Sequence, residues 1–417
     1  MKPTAIVWYP IVIVALAGAA MSTIKTGRDA VFFTRTGLEE LPLAYLWSEL
    51  ALFFGAYVHL SAMRRWGSRT SRLMVFFVSA ALFAVFVPFL VPDHRLVVQV
   101  LYPTVPMVFA AVFASAWLLV GDVLEGSEKS TIRRFYGMAA AAATIGGIGG
   151  ALFARAAAAA LGPRGLIAAG AILIGGCAAL AWRTHGLHPV MATAASSAEE
   201  LPALPDLRSL LTDSYTLGLL AISALGTVIA MYVEFQFYSA AFASGQAGTQ
   251  FFANYYVLLS VGSLLLQMVV APWVQSRLSV ARSLLILPVG VLGGSTMVAG
   301  IPTIVTQSLF RIMETSLKNS IHRSSWEQVF LMFDRERRPA IKVMIDGALP
   351  RAAGVLGAAG LFVTLKLNAS MPFFQGSVWP VWVLGPCAAL WILAAVLLMG
   401  EKQASEQCDY QVRLPDS

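Results

Sequence analysis

The chain has 417 residues, 58% of them hydrophobic and only 12% charged, and its mean hydropathy is +0.73. A soluble domain carries about 25% charged residues, so the composition excludes a water-solvated globular protein of this length and fits a chain whose solvent is largely lipid. The formal net charge of +7 is compatible with nucleic acid, but polytopic membrane proteins concentrate Lys and Arg on cytoplasmic loops; membrane lipid is the expected partner and nucleic acid is not.

The first apolar run covers 5–33. Lys2 and the small residues Ala15–Ala20 resemble a cleaved signal peptide in outline, but many apolar runs follow, so an uncleaved first helix is expected. From Lys25 onward this run is polar and must face protein or water rather than lipid. A spanning helix needs about 20 mostly apolar residues. Further runs of that kind lie at 43–63, 72–92, 97–122, 136–160, 165–183, 216–240, 251–276, 280–300, 301–320, 342–366 and 376–399. Runs nine and ten join at Gly300–Pro302, a turn signal.

The stretch 184–215 is rich in Pro, Ser, Ala and acidic residues and reads as a linker. It falls after six runs and before six more. The expected fold is therefore an all-α integral membrane protein of 12 transmembrane helices in two six-helix pseudo-repeats, major-facilitator-like in organisation. Its parts are an N-terminal half at 1–183, a cytoplasmic linker at 184–215, a C-terminal half at 216–400 and a cytoplasmic tail at 401–417, expected to be exposed and disordered. With the N-terminus inside, 20 of the 29 basic residues fall on inside segments, including Arg64, Arg65, Arg69 and Arg72 between runs two and three. That bias predicts a multi-pass protein of the cell inner (cytoplasmic) membrane with both termini cytoplasmic. The fifth and eleventh runs are rich in Gly and Ala (137–154 and 346–363), which lets helices approach closely.

Charge within a span is expensive and calls for a reason. Lys25, Arg28 and Asp29 stand at the end of run one, Glu49 in run two, Arg155 in run five, Glu234 in run seven, Arg311, Glu314 and Lys318 in run ten, and Asp346 and Arg351 in run eleven. Glu234 is the sharpest case. Ser223, Thr227, Glu234 and Tyr238 are spaced by four, seven and four, which puts them on one helix face. Such a stripe predicts a wet cavity, or else a buried carboxylate that fixes helix packing. Arg311, Glu314 and Lys318 share a face at i, i+3 and i+7, and Glu314 can pair with either neighbour. The same three residues could contact a solute or form an internal ion pair. Arg351, after Pro350, and Arg155 read as solute contacts or as structural pairs. Cationic residues outnumber acidic ones in this set, and the planar fork of Arg suits phosphate or carboxylate, so a small anionic solute is the expected cargo. Aromatic residues nearby, among them Phe32, Phe33, Tyr255 and Tyr256, could stack on a base or simply fill the bundle.

Enzyme signatures are missing: there is no Walker A loop, no dinucleotide fingerprint, no His-based metal pair and no G-x-S-x-G. Cys177, Cys387 and Cys408 have no metal-ligand spacing. No catalysis, metal or cofactor is expected, and energy would come from gradients or exchange.

Three stretches resemble the ATP/ADP translocases, the nucleotide transporter family of plastids and intracellular bacteria. In 25–42 the matching residues are Lys25, Arg28, Asp29, Thr34, Gly37, Glu39 and Pro42, with an arginine where the family has lysine. In 232–238 Glu234 matches a family glutamate in its Val-Glu context. In 317–354 the matches are Lys318, Ser320, Glu327, Lys342, Ile345 and Asp346. The sequence departs from the family at Ser115, where a glutamate is usual, and at Trp326, where a lysine is usual. The resemblance implies an alternating-access exchanger of phosphorylated solutes, a nucleotide among them, acting as a monomer. Its two halves would rock around a site holding Lys25, Arg28, Asp29, Glu234, Tyr238, Arg311, Lys318 and Arg351. Other solutes (a phospholipid headgroup, a sugar phosphate, an organic anion) and a non-transporting accessory subunit are the alternatives.

Overall fold

The computed structural model describes residues 3–90, 94–124, 129–185, 214–330, 341–368 and 380–412. All regular structure among them is helical. The first helix, α1, runs over Pro3–Arg35. It stops at Gly37, whose φ of +89° turns the chain, and a 3₁₀ turn over Leu38–Glu40 feeds α2, Leu41–Trp66, with Pro42 in its first turn. Gly67, again at positive φ (+78°), is the single residue between α2 and α3, Ser68–Phe89. Then come α4, Arg95–Leu124, and α5, Lys129–His185.

Helix α6 covers Ser214–Ala243. A bend at Gly245 leads to α7, Thr249–Leu265, which continues through a π-helical turn at Leu266–Val270 into α8, Ala271–Arg277. Ser279 caps α9, Val280–Gly300, by accepting from the Arg282 amide. Thr303 and Thr306 exchange side chain-to-backbone bonds at the start of α10, Ile304–Leu317. A second π-helical turn, Lys318–His322, joins α10 to α11, Arg323–Val329. A third, Val343–Ala348, opens α12, Leu349–Asn368. The last helix, α13, is Pro380–Val412.

Ten helical stretches among the described residues are long and apolar enough to cross a membrane, against twelve runs counted by hydropathy. The difference has two causes. Runs five and six belong to the one segment α5, broken inside by Gly162 (φ +59°, ψ −177°) and Pro163. Run ten carries Gln307, Arg311 and Glu314, and α10 itself is only 14 residues long. The tail expected after Gly400 is instead helical as far as Val412. The linker expected at 184–215 falls mostly outside the described residues.

The chain forms two compact units. One takes Met1–Ala198 with Ser244–Val261, the other Glu199–Ala243 with Gly262–Ser417. In the first unit α1 is the most buried of the ten spans and packs chiefly on α5 and α4. Backbone-to-backbone contact is possible there because α5 presents Gly146 and Gly150 to the carbonyls of Ala15 and Ala19. Thr23 adds a bond from its hydroxyl to the Gly150 carbonyl, 3.3 Å. The first part of α7 belongs to this unit, with Ala253 packed on Ala154 and Leu166.

In the second unit α6 is flanked by α10, α12 and α13. Trp391 of α13 lies against Gly226 of α6, and Phe310 of α10 fills the space left by Gly294 of α9. Large apolar side chains such as Phe53, Phe54 and Tyr57 on α2 stay exposed. Lipid satisfies such faces at no cost, whereas in water they would drive association.

Candidate functional site

In the first unit the polar end of α1 gathers a charged cluster. Arg28 and Asp29 form a buried ion pair, with Nε at 2.7 Å and Nη2 at 2.5 Å from one Asp29 oxygen. The guanidinium lies over the ring of Tyr102 from α4, 4.1 Å from its centre. The hydroxyl of Tyr256, from α7, donates to the other Asp29 oxygen. Lys25, one turn before Asp29, is half-buried and sits 5.2 Å from the centre of the Tyr256 ring. Phe32 packs on Tyr102 and Phe33 on Phe252, so apolar rings border the charges. Asp29 is wholly buried and Arg28 is 5% exposed. Charges so placed persist only if paired and hydrogen-bonded, and Asp29 has a partner on each oxygen. Lys25, Arg28 and Asp29 together carry one net positive charge.

The second unit holds a cluster centred on Arg311. Its guanidinium pairs with Glu314 at 2.7 Å and Glu234 at 3.2 Å, and it also donates to the Ala230 carbonyl at 3.2 Å. The Tyr238 hydroxyl donates to Glu234 at 3.4 Å, and the Thr315 hydroxyl to Glu314 at 3.0 Å. Of the two partners open to Glu314, the structure selects Arg311. Lys318 stands exposed at the first position of the π-helical turn. Gln307, one turn before Arg311 on the same face of α10, is almost fully buried. This cluster has one cation for two carboxylates, the reverse balance to the first.

Part of the expected polar stripe on α6 does structural work. Ser223 donates to the Ile345 carbonyl at 2.8 Å, and Thr227 to the Ser223 carbonyl at 3.0 Å. Ile345 lies in a π-helical turn, where the altered bonding pattern offers carbonyls to neighbours. Nearby, Trp326 donates its indole N–H to Asp346 at 2.6 Å, and Arg323 and Lys342 both pair with Glu327. His322 stacks on Trp326 and meets Trp391 edge-on.

Of the residues singled out by sequence, Lys25, Arg28 and Asp29 come together in the first unit, and Glu234, Tyr238 and Arg311 in the second. Arg351 is half-buried in the first turn of α12. Ser115 is wholly buried on α4. Tyr102 as a platform for Arg28, and Tyr256 as a partner of Asp29, did not emerge as specific contacts from the sequence. The signal available for Tyr256 was a polar triplet, Asn254-Tyr255-Tyr256, inside an apolar run.

No protein-family model and no curated protein matches this sequence. Solved structures do. A mutant form of the nucleoside transporter NupG is 13% identical, with a TM-score of 0.71 over 94% of this chain and 99% of that one. The POT family transporter PepTSo is 12% identical, with a TM-score of 0.64 over 99% of each chain. A D-xylose-proton symporter is 15% identical, with a TM-score of 0.65 over 95% and 97%. At such identities the likeness concerns the fold. The chain has the all-helical, multi-pass, major-facilitator-like fold.

Proposed function

We propose that this protein is an alternating-access membrane transporter for a small anionic, phosphorylated solute, with nucleotides of the ATP/ADP type as the first candidates. The observation that carries this reading is the cluster at the end of α1. A buried arginine stacked on Tyr102, with Lys25 one turn away and a net positive charge, offers what a phosphate oxygen needs: a planar pair of donors, a second cation and aromatic walls. The sequence resemblance at Lys25, Arg28, Asp29 and Glu234 points to the same class. In this reading Arg28 and Lys25 hold the anion, while Glu234, Tyr238 and Arg311 gate or couple; Lys318 and Arg351 contribute further cationic contacts. The chain acts as a monomer without cofactor or catalysis, in an inner membrane, with both termini cytoplasmic and six spans on each side of the 184–215 linker.

A second reading is favoured by a specific departure. Trp326, in the place of a family lysine, uses a neutral N–H to bond Asp346, which also lies 3.8 Å from Arg323, so the region carries one cation fewer than the family pattern implies. A different phosphorylated or carboxylated solute would suit it. The similar solved structures carry nucleosides, peptides and xylose by their descriptions, so the fold by itself selects no cargo. Uptake of labelled ATP, ADP, a sugar phosphate and inorganic phosphate into vesicles containing the purified protein separates the readings. Transport of a nucleotide that fails in Arg28→Gln supports the first. Transport of the other anions alone supports the second. No uptake of any of them removes both.

A further inference from the structure

Two of the buried arginines, Arg28 and Arg311, share an arrangement. In each unit a carboxylate of the same chain occupies the guanidinium, and a tyrosine hydroxyl donates to that carboxylate. The three members are Arg28, Asp29 and Tyr256 in one unit and Arg311, Glu234 and Tyr238 in the other. The pairing at Arg28 does not follow from helix geometry. Side chains at i and i+1 leave an α-helix about 100° apart and do not face each other. Arg28 nonetheless places two nitrogens on one Asp29 oxygen while its Cζ lies over the ring of Tyr102. Asp29 thus presents to Arg28 the same ligand that the phosphate or carboxylate of a solute would present.

We propose that Asp29 is an internal counter-anion, displaced from Arg28 by the anionic group of the solute, and that Tyr256 is the positioning residue that retains the displaced carboxylate. The inference rests on the anion-transport reading above and adds a transport mode to it. A carrier whose buried arginine stood uncompensated after release would reorient only at a steep penalty. With Asp29 back on Arg28 the emptied carrier is compensated, so it returns without cargo. Net uptake, and not only exchange, is the consequence.

Two measurements test this. Thermal unfolding of the purified full chain is followed against inorganic phosphate. Uptake of labelled ATP is followed into empty vesicles and into vesicles preloaded with ATP. Asp29→Asn should bind phosphate about tenfold more tightly than the wild type, because the competing carboxylate is gone. Tyr256→Phe should bind it more weakly, since the displaced Asp29 then loses the hydroxyl that retains it, and Arg28→Gln should abolish the response. In vesicles, Asp29→Asn should keep exchange into preloaded vesicles and lose net uptake into empty ones. An equal phosphate response in wild type and Asp29→Asn overturns the proposal. If Asp29→Asn cannot be recovered folded, Tyr256→Phe decides, and a response unchanged from wild type overturns it. If the phosphate responses follow the expected order while no labelled ATP moves, the nucleotide reading fails and the counter-anion role stands.

Discussion

Arg311 bridges two carboxylates that approach it from different helices, Glu234 on α6 and Glu314 on its own α10. Removing the cation leaves the buried Glu314 and the half-buried Glu234 without it, whereas removing one acid leaves a pair intact. Arg311→Gln should therefore destabilise the protein by about 3–5 kcal/mol, seen as a lower midpoint of thermal unfolding in detergent. Glu234→Gln should cost less, because Glu314 still balances the guanidinium. An equal loss in the two variants would show that Arg311 is not the centre of the cluster. These residues were visible in the sequence as charges in apolar runs, and the price of burying charge is the reason they stood out. Their pairings were only half legible. Helix periodicity put Glu314 within reach of both Arg311 and Lys318, and only the three-dimensional path shows which one it meets. Contacts across more than 200 residues, such as Asp29 with Tyr256, leave no periodic trace at all.

Among the elements, α1 and α5 approach closely enough for backbone to meet backbone. A side chain at Gly146 or Gly150 would overlap the backbone of α1 at Ala15 or Ala19, and backbone cannot swing aside as a side chain can. Gly146→Val should cost on the order of 1–3 kcal/mol or more and reduce the yield of monodisperse protein on size exclusion. Gly147→Ala, whose added carbon meets only the Ser22 hydroxyl at 3.5 Å, serves as the tolerated control. The break inside α5 makes a second demand. At φ +59° and ψ −177°, Gly162 occupies a region essentially closed to other residues. Gly162→Ala should lower stability by about 1–3 kcal/mol, measurable in the same melts. The small-residue run at 137–154 was legible as a close-packing face. Its partner was not, because composition names the surface that can approach but not the helix that comes.

For the whole molecule, apolar composition and the extent of the helices establish a membrane fold, and the charge bias of the loops predicts which side each end faces. A single cysteine placed at 403, in a background without Cys177, Cys387 and Cys408, should be labelled by a membrane-impermeant maleimide only in inside-out vesicles. Labelling from the other side would invert the orientation. The three π-helical turns among the described residues, all in the second unit, bear on how the sequence keeps phase with the structure. A π turn closes i→i+5 and so carries one residue more than the α turn it replaces. Each therefore acts as an inserted residue that sets the helix beyond it out of step with the helix before it, by about 100°. The face through Gln307, Arg311 and Glu314 therefore follows one sequence register and the helix after His322 another. Because the turn absorbs the surplus, deleting one residue between Lys318 and His322 should restore a regular α-helix and leave Trp326 facing Asp346, whereas a deletion between Arg323 and Ser325, beyond the turn, should rotate Trp326 away. The second unit thus takes up surplus residues within single turns, and the helices on either side of each turn obey different sequence registers.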